Sequence, residues 1–200
     1  MSPYNPHIHH RRSIRLKGYN YAQEGLYFIT ICCQDRICRF GKVVNGEMVL
    51  NEYGQMAYDE WMKLPEQFPN FELDVFQIMP NHMHGIIALV GATLAVAPID
   101  AVAQIDDTVA QIDTIAPIGA GASPARTNVP NGAISDIVGA YKSLVANGCL
   151  GIFKLKNEIM GQLWQRNYYE HIIRNEQSYQ AISEYIINNP AKWVEDKFYV

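Results

Sequence analysis

The segment His82-Met-His-Gly-Ile-Ile-Ala-Leu-Val90 constrains the fold of this chain more than any other. From Gly85 onward it is apolar at odd and even positions alike. Side chains of a strand alternate between faces, so a strand that is apolar on both needs cover on both. The segment is therefore expected at the centre of a sheet, buried, with the two histidines at its mouth.

The neighbouring signals fit such a sheet. Leu26–Cys33 is rich in β-branched and aromatic residues and reads as a strand. Lys42–Val44 and Glu47–Leu50 flank Asn45-Gly46, a pair that tolerates positive φ and marks a tight hairpin. Phe71–Met79 reads as a further strand, separated from His82–Val90 by a Pro80-Asn81 turn. Tyr53, Met56, Ala57, Trp61 and Leu64 recur at helical spacing from Glu52 to Leu64. A second helix is expected from an N-cap at Ser135, with Gly148 as its stop, and a third from about Gln177 to Asn189, closed by Pro190. The stretch between them, around residues 163–174, reads as irregular and aromatic. Strands, helix, strands, helix, helix is the order of an α+β fold, an antiparallel sheet flanked by helices.

At 200 residues, the chain is long enough for one domain with a sizeable core. No apolar run approaches the ~20 residues of a membrane helix. The basic N-terminal segment has no apolar run after it, so a secretory signal is not expected, and the reading is cytoplasmic. Cys32, Cys33, Cys38 and Cys149 are accordingly expected to be reduced thiols. Residues 91–132 are small and repetitive, with Val-Ala-Gln-Ile-Asp at 102–106 and again at 109–113. They read as a flexible insertion loop within one domain. The net charge of −4 argues against a nucleic-acid partner only until it is divided along the chain. The insertion alone holds four acids and one base, while Arg11, Arg12, Arg15 and Lys17 cluster within seven residues. Local field matters more than total charge for capturing a polyanion.

Three constellations carry chemistry. His82 and His84, two apart on a strand, point the same way about 7 Å apart and converge on one divalent metal from adjacent corners. The competing reading is a pair of hydrogen-bonded core histidines. Ile182, Tyr185, Ile186 and Asn189 share one face of the last helix, so a phenol and an amide face the sheet one turn apart. On the helix alone the plainer reading is preferred, a tied-down core tyrosine and a helix-ending asparagine. Two imidazoles and an amide together make a mixed nitrogen–oxygen site for a hard divalent ion. Finally, Trp164, Tyr168 and Tyr169, interleaved with Arg166, His171 and Arg174, offer base stacking and phosphate contacts or else fill the core.

Met79-Pro-Asn-His-Met-His84, Trp164-Gln-Arg-Asn-Tyr-Tyr-Glu-His171 and Tyr185-Ile-Ile-Asn-Asn-Pro190, in that order, resemble the single-tyrosine HUH transposases, and among them the REP-associated tyrosine transposase branch. The resemblance covers residues of about 10–90 and 133–198, outside the insertion. It implies a ferredoxin-like or RRM-like HUH nuclease fold over a single domain, 1–200, interrupted at 91–132. It implies metal-dependent cleavage and rejoining of single-stranded hairpin DNA through a covalent 5′-phosphotyrosine. Tyr185 then matches the nucleophile, His82 and His84 the paired ligands of Mg²⁺ or Mn²⁺, and Asn189 the third-ligand place. Arg11, Arg12, Arg15, Lys17, Trp164, Arg166, Tyr168 and Arg174 are the expected DNA contacts, and the protein is expected to be a monomer or homodimer away from membranes. Imidazole must be neutral to bind metal, so function is expected to fall as pH drops through roughly 6.5. The rivals are a domesticated, catalytically silent hairpin binder, a metal oxygenase or hydrolase that adds a carboxylate such as Glu170, and a plain sheet-and-helix module for RNA.

Overall fold

The computed structural model describes residues 23–90 and 133–200. The N-terminal basic cluster (Arg11, Arg12, Arg15, Lys17) and the 91–132 segment lie outside the described residues. In chain order the elements are β1 (Gly25–Cys32), β2 (Gly41–Val44), β3 (Glu47–Leu50), α1 (Glu52–Met62), α2 (Leu64–Gln67), β4 (Phe71–Ile78), β5 (His82–Leu89), α3 (Ile134–Leu155), β6 (Tyr169–Ile173) and α4 (Glu176–Asn188).

Four strands form one sheet in the order β4-β5-β1-β6, and every pairing is antiparallel. Along the chain α1 lies between β1 and β4, and α3 between β5 and β6, which makes this the ferredoxin-like arrangement. Both inner strands, β5 and β1, have the expected covered faces. All of β5 is buried. On one face Tyr27, Ile29, Ile31, Met83 and Ile87 pack with Ala57, Trp61, Tyr141 and Val145 of α1 and α3. On the other, Phe28, Ile86 and Ile173 meet Ile182 and Ile186 of α4. The functional side chains lie on this second face.

The Asn45-Gly46 turn closes β2 on β3 with φ of 55° and 81°, as the pair suggested. Three expectations are corrected. The N-cap of α3 is Ala133, with no side-chain cap, and Ser135 lies inside the helix. The helix begins early because Ile134 is fully buried and anchors its first turn. Gly148 does not stop α3, which runs on to Leu155. Its absent side chain instead makes room for α1: a Cβ there would lie 2.5 Å from Met56 Sδ. The supposedly irregular stretch contains β6, an edge strand whose outward polar residues masked its periodicity.

Candidate active site

Strand alternation places His82 and His84 on the α4 face, and their rings converge as expected. The two Nε2 atoms are 3.0 Å apart and both residues are fully buried. His82 Nδ1 lies 2.8 Å from Asn81 Oδ1. His84 Nδ1 lies 2.8 Å from Thr30 Oγ1 on β1, which is paired directly opposite in register.

The α4 helix brings the second constellation to the first. Asn175 caps its start by accepting from the Ser178 N–H, which sets the helix phase. One face buries Ile186 against the sheet, and the same face delivers Tyr185 beside His84, with Oη 3.2 Å from Nε2. Tyr185 donates to Asp196 Oδ2 at 3.0 Å, and Asn189 Nδ2 donates to the same oxygen at 2.7 Å. Asn189 Oδ1 is buried and has no hydrogen-bond partner among the described residues.

Asp196 is the residue that sequence reasoning missed. It follows a short 3-10 turn, Trp193–Glu195, beyond Pro190, where no periodicity marks it. Its carboxylate is fixed by the Phe198 N–H at 2.6 Å. Ligand atoms of His82, His84 and Asp196 all lie within 4.8 Å of one another, so these three could hold a metal ion. Glu170 cannot supply that carboxylate. It pairs opposite Ile29, whose side chain lies on the other face of the sheet.

Burial dominates the electrostatics. It pushes the His82 imidazole down to about 3, helped by the cations of Lys197 and Arg36. His84 is also held well below its ordinary value, by burial first and then by His82. The expected loss of ligand form near pH 6.5 is therefore corrected, because the folded site keeps His82 neutral far below that. Between pH 6.5 and about 3 the unfolded chain takes up a proton that folded His82 refuses. The stability tied to this group is thus complete above 6.5 and is lost as pH falls toward 3. The urea midpoint should decline from pH 7 to pH 4, and less steeply in His82→Gln. Equal slopes for the two proteins would refute this.

Tyr185 is shifted the other way. Its phenol is held above the ordinary range by burial, by the charge of Asp196 and by the hydrogen bond to it. Yet it stays reachable, 40% exposed, on a cleft of about 310 Å³ that it lines with Asn189, Lys192 and Asp196.

The expected DNA contacts divide. Trp164 is corrected to a core residue: it is buried, its ring packs on Phe40 and Tyr141, and its N–H is donated to the Lys142 carbonyl. A base cannot stack on a ring already covered on its faces. Tyr168 is half-buried against the same core. Arg166 and Arg174 are exposed on either side of β6. Tyr169 is exposed on the site face of β6, opposite Thr30, with Lys197 Nζ 6.0 Å from its ring centre.

No helix among the described residues is long and apolar enough to cross a membrane. The four cysteines are all free, and burial raises Cys32 and Cys149 to about 11, which leaves them inert as thiols.

No protein-family model matches the chain. An uncharacterized protein of Haemophilus influenzae is 41% identical over 197 residues, covering 98% of this chain and 97% of its own length. Among solved structures, that of a REP-associated tyrosine transposase bound to a REP hairpin aligns with a TM-score of 0.52 at 22% identity. The alignment covers 98% of this chain and 77% of that one. The fold is thus shared with the branch to which the three motifs pointed.

Proposed function

We propose that this chain, which belongs to one family with the Haemophilus influenzae protein and has the fold of a REP-associated tyrosine transposase, is itself a transposase that cleaves and rejoins single-stranded DNA. The observation that carries the reading is a reachable phenol hydrogen-bonded to Asp196 and 3.2 Å from His84 Nε2, at the edge of a two-imidazole, one-carboxylate cluster.

The residues present fit a divalent metal. Two buried imidazole nitrogens 3.0 Å apart, a carboxylate beside them and an unsatisfied buried amide oxygen on Asn189 form a mixed donor set with unused capacity. An ion of the Mg²⁺ or Mn²⁺ kind, held by His82, His84 and Asp196 with Asn189 alongside, would polarise a phosphodiester. Tyr185 Oη then attacks phosphorus, the P–O3′ bond breaks, and the 5′-phosphate remains on the phenol. The phenolic proton is lost and the departing 3′ oxygen gains one, so protons balance. Asp196 aims the hydroxyl and accepts its hydrogen bond. A second 3′-hydroxyl can reverse the step without a nucleotide cofactor, because the phosphoester is conserved.

The DNA would approach over the exposed edge of the sheet. Arg166, Arg174, Lys192 and Lys197 supply phosphate contacts there, and Tyr169 a stacking surface. A hairpin in single-stranded DNA is the substrate we propose, by analogy with the hairpin carried by the transposase of like fold.

Hairpin oligonucleotides from DNA flanking the gene, labelled at either end, test this with Mn²⁺ or with EDTA. A retarded, protease-sensitive band bearing the 3′ label is expected with Mn²⁺ and absent with EDTA. Adduct formation at full rate in EDTA would overturn the metal role. Tight binding without adduct would replace the transposase by a catalytically silent hairpin binder.

A further inference from the structure

We infer that Asn81 is a positioning residue that fixes the tautomer of His82, whereas Thr30 leaves His84 able to change its own. The Thr30 half rests on the metal reading above; the Asn81 half does not.

Asn81 is 1% exposed in the β4–β5 turn. Its Nδ2 lies 3.1 Å from the Arg36 carbonyl and 2.8 Å from the Phe198 carbonyl. Carbonyl oxygens only accept, so the end of the amide that faces them must be the NH₂. The other end is then the oxygen, which also only accepts. The ring nitrogen 2.8 Å from it, His82 Nδ1, must therefore carry a hydrogen. Neutral His82 has one ring hydrogen, so its Nε2 is a bare lone pair aimed at His84 Nε2, 3.0 Å away.

Thr30 imposes no such choice. Its hydroxyl, buried and 2.8 Å from His84 Nδ1, can donate or accept. Without a cation, His84 must carry its hydrogen on Nε2, because two facing lone pairs at 3.0 Å repel. That hydrogen points at His82 Nε2 and toward Tyr185 Oη, while the Thr30 hydroxyl donates to Nδ1. Were His82 and His84 to hold a cation together, His84 would carry its hydrogen on Nδ1 instead, and Thr30 would accept it. The number of protons on the pair does not change. One imidazole is a fixed ligand and the other an adjustable one.

Long-range ¹H–¹⁵N correlation of the histidine rings in the full-length chain reads these tautomers directly. The metal-free protein should show His82 as Nδ1–H and His84 as Nε2–H, with only His84 changing on Mg²⁺ addition. Asn81→Leu should give mixed His82 tautomers and weaken Mn²⁺ binding, followed by the EPR signal of the free ion, by about 10–100-fold. Asn81→Asp keeps an acceptor toward Nδ1 and should keep His82 as Nδ1–H, at a cost in stability because its second oxygen loses the donation to the Arg36 and Phe198 carbonyls. That rescue separates ring orientation from a merely structural role. His82 carrying its hydrogen on Nε2 in the wild-type protein would overturn the proposal, as would Asn81→Leu with unchanged tautomer and Mn²⁺ affinity. If Asn81→Leu fails to fold, the wild-type and Asn81→Asp spectra still decide. His82 as Nδ1–H without any Mn²⁺ binding would uphold the Asn81 role and overturn the metal reading instead.

Discussion

Tyr185→Phe should eliminate the covalent protein–DNA adduct, a loss of at least about 10³-fold, while hairpin DNA still binds. The substitution removes one oxygen and nothing else. The ring keeps its edge-on contact with Phe28, and Asp196 keeps the Asn189 and Phe198 donors. The fold should therefore lose no more than the contacts of that oxygen with Asp196 and His84, about 0.5–1.5 kcal/mol each. Denaturing gels read the adduct and filter binding reads affinity, so the two can part company. An adduct that persists in Tyr185→Phe would place the nucleophile elsewhere and end the assignment. Loss of binding together with the adduct would show that the hydroxyl contacts DNA rather than reacting with it.

The largest expected effect on stability is at Trp61. Its side chain is fully buried, with ring centres 5.1 Å from Tyr141, 5.7 Å from Phe71 and 5.9 Å from Phe76. It also fills the space that the missing Cβ of Gly85 leaves on β5, next to His84: a Cβ there would be 3.1 Å from Cζ2. Trp61→Ala should cost about 3–5 kcal/mol, the range for emptying a packed aromatic site. The lower end is favoured because Trp61 Nε1 is buried without a hydrogen-bond partner among the described residues, and truncation relieves that cost. Against a total of about 5–15 kcal/mol, this is enough to unfold a marginal domain. Urea denaturation of Trp61→Ala measures it, and a loss below about 1 kcal/mol would show that the core closes over the gap.

Both predictions draw on features that the chain states locally. The both-sided apolar run of β5 announced a central strand, and the structure buries every residue of it. Asn-Gly announced the hairpin because the conformational preference of two residues suffices to form it. His-x-His and the Tyr185–Asn189 pair were legible because strand and helix periods assign faces without reference to anything distant. Where the local signal was mixed, the reading failed. An edge strand needs polar residues on its open side, so β6 read as irregular. A glycine in a helix reads as a stop unless the neighbouring helix that requires it, here α1 at Met56, is known.

What the sequence determined by itself is the set of elements, the antiparallel sheet, and the two pairs of residues, one on a strand and one on a helix, that come together between sheet and α4. These follow from periods of two and 3.6 residues and from motifs a few residues long. Tertiary structure alone decided that Asp196 joins them, because a carboxylate beyond the last helix reaches His84 only once the chain has turned back over the sheet. It also decided that Trp164 belongs to the core and that Asn81 grips His82. The same packing set the charge states. An imidazole stays neutral, and a phenol keeps its proton, according to how much water the rest of the chain excludes from it, and that is a property of no single stretch of sequence.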